Sequence, residues 1–202
     1  MGPTIYFVRH GETAWNAEGR LQGQRDTQLN DRGRRQADDV GLFLPRLVPG
    51  FAELDYVASP LQRTRETMER LRVAAGLPAE GFRRDDRLRE ISFGIWEGMT
   101  WKEIRSRDNA NAAIRDKDRF GYAPRNGESY AMVVERLKPF IADITRDTLV
   151  VSHGGVARAL LTMLTGLATS EAPSVPIWQG RVLVFRCLSW ACSCMGLFHF
   201  CL

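Results

Sequence analysis

The sequence predicts an α/β fold: a single domain with a mainly parallel central sheet flanked by helices on both faces. Three short runs carry that prediction. Residues 4–8 (TIYFV), 55–59 (DYVAS) and 148–152 (TLVVS) are β-branched and apolar with no polar alternation, the pattern of strands covered on both faces, and each is followed by a helical stretch. Strands that alternate with helices build parallel sheets. With 202 residues, 44% of them hydrophobic, the chain can bury one sizeable core, which makes one domain the expectation.

The first run should be central in the sheet. "LNDRGRRQADDVGLFL" then reads as a helix that starts at Asn30 or Asp31, with Pro45 and Pro49-Gly50 as stop signals. After Ser129, the spacing of Val133, Val134, Leu137, Phe140, Ile141 and Ile144 puts one apolar stripe toward the sheet, and Pro139 predicts a kink. Between Asp108 and Pro124 the periodicity is weak and polar residues are many, as in a mobile helix or cover segment.

Residues 187–202, "CLSWACSCMGLFHFCL", do not match the rest of the chain. They hold all four cysteines, Cys187, Cys192, Cys194 and Cys201, and no acid or base except His199. The spacings fit no common zinc pattern, a disulfide framework is not expected in a chain otherwise free of cysteine, and the run is shorter than the about 20 residues that span a bilayer. The reading adopted is a terminus of altered sequence, as a frameshift would give, that forms no functional site. Residues 1–186 are then the domain.

Lys and Arg number 28 against 24 Asp and Glu, a net charge of only +4. Of these cations 25 are arginine, a skew of the kind a GC-rich coding sequence produces, so arginine by itself says little. The charges mix along helix faces, as in "RTRETMERLR", with neither the basic run nor the module of a nucleic-acid binder. The N-terminus lacks the basic start and long apolar run of a secretory signal. A cytoplasmic protein without nucleic-acid or membrane partners is expected, and a homodimer is left open.

Each of the three strand runs ends on polar residues: Arg9-His10, Ser59, and His153-Gly154-Gly155. Ligands of open α/β sheets bind at the carboxyl ends of strands, so one site can gather all three. Glycines after His153 let a ligand approach the backbone, and helix N-termini attract phosphate. "SPLQRTRET" places Arg63 in the first turn of its helix, near the same edge, with Arg65 as the competitor pointing elsewhere. Charged groups are rarely buried without a partner, which points to an anion.

"RHGETAWN", "LQGQRDTQLNDRGRRQA", "SPLQRTRET", "LREISFGIWEG", "NGES" and "VSHGG", in this order, resemble the histidine phosphatase superfamily, also called phosphoglycerate mutase-like, from about Thr4 to about Phe185. The resemblance implies that His10 attacks phosphorus to give a phosphohistidine while Arg9, Arg63 and His153 hold the phosphoryl oxygens. It implies Glu90 as general acid and then base, Asn16 and the Gly154 amide as phosphoryl contacts, and Gln22, Gly23 and Ser129 at the mouth of the pocket. Ser129 can equally cap the following helix, Glu12 can brace the nucleophile loop, and Glu97 can close a turn with Gly98. The chemistry agrees: neutral histidine is a nucleophile at pH 7, arginine offers a planar fork to phosphate, and a phosphate beside Glu90 raises its pKa toward a usable acid.

Three functions compete. A phosphomonoesterase acting on a small phosphate ester is favoured over a cofactor-dependent phosphoglycerate mutase, because the 63-residue step from Glu90 to His153 is short and "DNANAAIRDKDRF" does not look like the basic substrate-covering insertion of the mutases. A silent phosphate-binding protein fits poorly with a complete catalytic set. No metal or other cofactor is expected, since the paired arginines would repel a cation.

Overall fold

Strand β1 (Thr4–Arg9) lies inside the sheet, as its unbroken apolar run requires, with a neighbour on each side. The structure is a computed structural model that describes residues 2–186 and the backbone of 197–200. β1 pairs in parallel with β4 (Thr148–Ser152), which pairs in parallel with β2 (Asp55–Ala58), and the two-residue β3 (Arg83–Arg84) extends that edge. On the other side β5 (Val182–Arg186) and β6 (Leu197–Phe200) run antiparallel, giving the order β3-β2-β4-β1-β5-β6. The mainly parallel sheet is therefore a parallel core of four strands with an antiparallel margin. Backbone pairing of residues 197–200 with β5 brings part of the atypical tail into the sheet, whereas its four cysteines lie outside the described residues.

Side-chain alternation sorts the sheet into two faces. Ile5, Phe7, Val57, Val150, Leu183 and Phe185 pack with α6 (Tyr130–Ala142) and α7 (Gly154–Thr165), through Val133, Leu137, Phe140, Val156 and Leu160. Val8, Tyr56, Ala58, Leu149, Val151, Val182 and Val184 pack with α2 (Asp31–Leu47) and α3 (Gln62–Ala74), through Val40, Leu44, Met68 and Leu71. Helices on both faces explain why these strands show no polar alternation.

α2 begins where expected, with the Asn30 side chain accepting from the Gly33 amide at 2.8 Å. Pro45 does not stop it. The helix continues to Leu47, because a proline in the last turn removes a single backbone hydrogen bond while Leu44 and Val48 stay buried against the sheet. Pro139 likewise lies inside the last turn of α6, which runs on to Ala142. The segment from Asp108 to Pro124, expected as a mobile helix or cover segment, contributes α5 (Asn109–Lys117) beside α4 (Trp101–Arg107), and Trp96, Ile104 and Ala112 form a small core of their own beneath them. A short helix α1 (Ala14–Ala17), closed by a Thr13–Asn16 capping box, follows β1. Among the described residues no helix is long and apolar enough to cross a membrane.

α2 and α3 touch through Gly41, where a Cβ would stand 2.2 Å from the Leu71 carbonyl oxygen. Gly41→Ala gains about 1 kcal/mol of helix propensity. It also forces two packed backbones apart, and overpacking of this kind costs about 1–3 kcal/mol or more. The expected outcome is a lower urea midpoint at unchanged m-value.

Candidate active site

The three parallel strands deliver their polar ends to one place. The His10 amide donates to the Ser152 carbonyl at 2.9 Å and the Ser59 amide to the Val151 carbonyl at 3.0 Å, so the residues just past β1, β2 and β4 remain in register. His10 and His153 meet there with ring centroids 5.2 Å apart, both buried. Arg9, His10, Asn16, Gln22, Gly23, Arg63, Glu90 and Gly154 line a cleft of about 510 Å³ including its open mouth, a size suited to a small metabolite. Neither Arg65 nor His153 is among the lining residues; His153 reaches the site through its ring contact with His10.

His10 Nδ1 lies 2.7 Å from the Gly11 carbonyl oxygen. A carbonyl only accepts, so Nδ1 carries the proton and Nε2 keeps its lone pair free. Burial, with Arg63 and Arg9 nearby, holds His10 well below the ordinary histidine value, and burial with Arg63, His10 and Arg9 does the same for His153. Both rings are therefore neutral at pH 7.

Arg63 is fully buried and fixed by two backbone carbonyls, Arg25 at 2.7 Å and Gly23 at 2.8 Å. Arg9 donates to the Ile177 carbonyl at 2.6 Å. Burial lowers both to about 10, which leaves them charged at neutral pH. Among the described residues neither is in an ion pair, and Arg9 Nε, Arg63 Nε and His153 Nδ1 are buried without a hydrogen-bond partner. Unspent donors and uncompensated positive charge suit a phosphoryl group, whose oxygens only accept.

Glu90 Oε1 accepts from the Gly155 amide at 2.9 Å and the Ile91 amide at 3.0 Å. This approach needs a glycine: a Cβ on Gly155 would lie 2.4 Å from Glu90 Oε1. The segment bearing Glu90 is held from behind by the Arg136–Glu128 ion pair at 3.0 Å. Arg136 donates to the carbonyls of Arg87 and Arg89, Glu128 accepts from the Ser92 amide at 2.9 Å, and Gln24 Nε2 donates to the Glu90 carbonyl at 3.1 Å.

Asn16 and Gln22 are partly committed elsewhere, Asn16 Oδ1 to Thr13 and Gln22 Oε1 to the Thr27 hydroxyl at 2.6 Å. Gly23 has φ +53°, and a Cβ there would meet the Glu97 carboxylate at 2.1 Å. Glu97 itself joins two loops, accepting from the amides of Gln24 at 3.0 Å and Phe93 at 3.2 Å. Glu12 accepts from Asn30 Nδ2 at 3.0 Å and pairs with Arg32, bracing the loop after His10. Ser129 is not part of the cleft lining; it caps α6 by accepting from the Met132 amide at 3.2 Å. Its neighbour Tyr130 lines the cleft instead, with Arg20, Leu21, Ile91, Phe93, Gly155 and Arg158. Arg158 was legible in principle, standing four residues after Gly154 on the same helix face.

Two neutral buried histidines, two guanidiniums with unspent donors and a carboxyl at one sheet edge define a site for phosphoryl groups. The chain belongs to the histidine phosphatase superfamily (branch 1), whose family profile it matches over residues 5–195. It is 34% identical over 196 residues to 6-phosphofructo-2-kinase/fructose-2,6-bisphosphatase of Gallus gallus, which covers 96% of this chain and 39% of that protein. The chain thus spans about two fifths of the length of this relative. Among solved structures it is similar to a mycobacterial glucosyl-3-phosphoglycerate phosphatase complexed with VO3, 29% identical with TM-score 0.80 over 98% of this chain and 97% of that one. It is also similar to the α-ribazole phosphatase from Shigella flexneri, 25% identical with TM-score 0.80 over 97% and 95%.

The buried neutral histidines make stability depend on pH. Unfolded, each binds a proton as pH falls below about 6.5, whereas the folded site resists it; the unfolded state then holds more protons and stability falls. Urea midpoints should drop between pH 7 and pH 5, by up to about 1.4 kcal/mol per unit for each histidine. His10→Gln should flatten that slope.

Proposed function

We propose that the chain is a cytoplasmic phosphomonoesterase that works through phosphohistidine at His10. The observation that carries the reading is the Nδ1 to Gly11 carbonyl bond, which leaves Nε2 as the one free lone pair on a neutral ring flanked by Arg9 and Arg63. In the first step Nε2 attacks phosphorus, the N–P bond forms, the ester P–O bond breaks, and Glu90 gives its proton to the departing alkoxide. In the second, the Glu90 carboxylate takes a proton from water, the oxygen attacks phosphorus, and the N–P bond breaks to release inorganic phosphate and restore neutral His10. Arg9, Arg63 and His153 hold the phosphoryl oxygens throughout, and Asn16 and the Gly154 amide contact them at the rim. Gln22 and Gly23 border the entrance.

Hydrolysis is preferred to mutase chemistry because the matched relatives carry the names of phosphatases. Arg158 and Tyr130 support a substrate with a second anionic group. A Cβ on Gly154 would lie 3.4 Å from Arg158 Nη1 and 3.6 Å from Arg9 Nε, so both guanidiniums stand against this glycine, and Tyr130 lines the same cleft. Two of the relatives' names speak of a bisphosphate and a phosphoglycerate ester, which fits. Residues 1–186 carry all of this machinery, and 187–202 are read as an atypical tail that is not a separate domain.

His10→Ala should abolish turnover and acid-labile labelling by phosphorylated substrate with the fold retained; wild-type turnover in that variant would remove the mechanism. Glu90→Gln should slow alkyl esters far more than an activated aryl phosphate, since a general acid matters with the basicity of the leaving oxygen. Arg158→Ala should raise KM for a sugar bisphosphate by about tenfold or more, the value of one charged hydrogen bond, and leave p-nitrophenyl phosphate nearly unchanged.

A further inference from the structure

Ser59 is fully buried at the end of β2, and nothing in the two chemical steps uses it. Its hydroxyl oxygen has two neighbours. The Leu61 amide donates to it at 3.4 Å, and His153 Nε2 lies 2.8 Å away. An amide N–H cannot accept a proton, so among the described residues the acceptor for the Ser59 O–H is the Nε2 lone pair. If Nε2 carried the ring proton instead, the hydroxyl proton and the Nδ1 lone pair would both be buried unpaired.

We propose that Ser59 is a positioning residue that sets the tautomer of His153: its hydroxyl donates to Nε2 and keeps the imidazole proton on Nδ1, where it forms a hydrogen bond to a phosphoryl oxygen. This assignment rests on the phosphatase reading for its purpose, and on the hydrogen bonds alone for the tautomer. His153 Nδ1 is buried without a partner, as are the Nε atoms of Arg9 and Arg63. An Nδ1–H there is a third donor for the same oxygens, whereas a bare Nδ1 lone pair would repel them. The two histidines thus carry their protons on the same ring atom for opposite ends. In His10 the Nδ1–H is spent on Gly11 and exposes a nucleophilic Nε2; in His153 the Nε2 is spent on Ser59 and exposes a donor. The imidazolium form of His153 would also offer Nδ1–H, but burial, with Arg63, His10 and Arg9 beside it, disfavours that form.

The test reads the tautomer directly in the ligand-free full chain. Two-bond proton–nitrogen NMR on ¹⁵N-histidine-labelled protein at pH 7.5, with His153 assigned through His153→Gln, should show Nδ1–H in the wild type. In Ser59→Ala, whose folding is checked by circular dichroism and urea midpoint, the proton should move to Nε2 or exchange between the two nitrogens. In that variant kcat/KM on an aryl phosphate should fall about 10- to 100-fold, the range of a lost or frustrated buried hydrogen bond. An Nε2–H tautomer in the wild type, or an Nδ1–H tautomer that persists in Ser59→Ala, overturns the proposal. The wild-type spectrum decides even if the variant does not fold. A wild type that shows Nδ1–H on His153 but hydrolyses no phosphate ester would bring down the phosphatase reading and leave the tautomer assignment standing.

Discussion

The rest of the site depends on burying two guanidiniums without a carboxylate in contact. Desolvating an ion costs several kcal/mol even after relaxation. Arg63 offsets that cost through charge-assisted bonds to the Gly23 and Arg25 carbonyls, and Arg9 through one to Ile177. Carbonyls satisfy donors without cancelling charge, so a positive field remains where three parallel strands end. Burial first, and that field with it, holds both imidazoles neutral, and their neutrality is what lets one attack and the other donate. The two apolar sheet faces, closed by α2 with α3 and by α6 with α7, supply the stability that a site of this kind consumes.

Arg63 also ties mobility to chemistry. Its bonds to Gly23 and Arg25 fasten the entrance loop to α3, and Glu97 fastens the same loop to the segment after Glu90 through the Gln24 and Phe93 amides. Opening that loop would strand a buried cation. The cleft is therefore set before substrate arrives, as transition-state stabilisation by fixed dipoles requires.

The parallel core and its catalytic edge were legible because the signals are local: an unbroken apolar run, then Arg9-His10 or His153-Gly154, leaves little choice about where those side chains go. The start of α2 at Asp31 was readable for the same reason. β3 was not, since two arginines carry no strand pattern and pair only because β2 has a free edge. α5 looked loose because its apolar partner, Trp96, comes from another segment. Ser129 and Tyr130 show the limit most plainly. One step along the chain exchanges a helix cap for a cleft wall, and only the phase of α6 decides which is which. Arg136 and Glu128 lie 46 and 38 positions from Glu90, and no spacing rule links them to it.

The contact between Glu90 and the Gly155 amide joins two segments 65 positions apart through a space no larger than a missing methyl group. Such a pair behaves as one inherited unit. A side chain at 155 would displace the carboxylate from the two amides that hold it. A change at 155 is therefore felt at 90, because any Cβ there has to displace the Glu90 carboxylate or the Ile91 side chain. Phe93, Tyr130 and Arg158 line the same cleft without bonding to that carboxylate, so they offer more room for change than position 155 does.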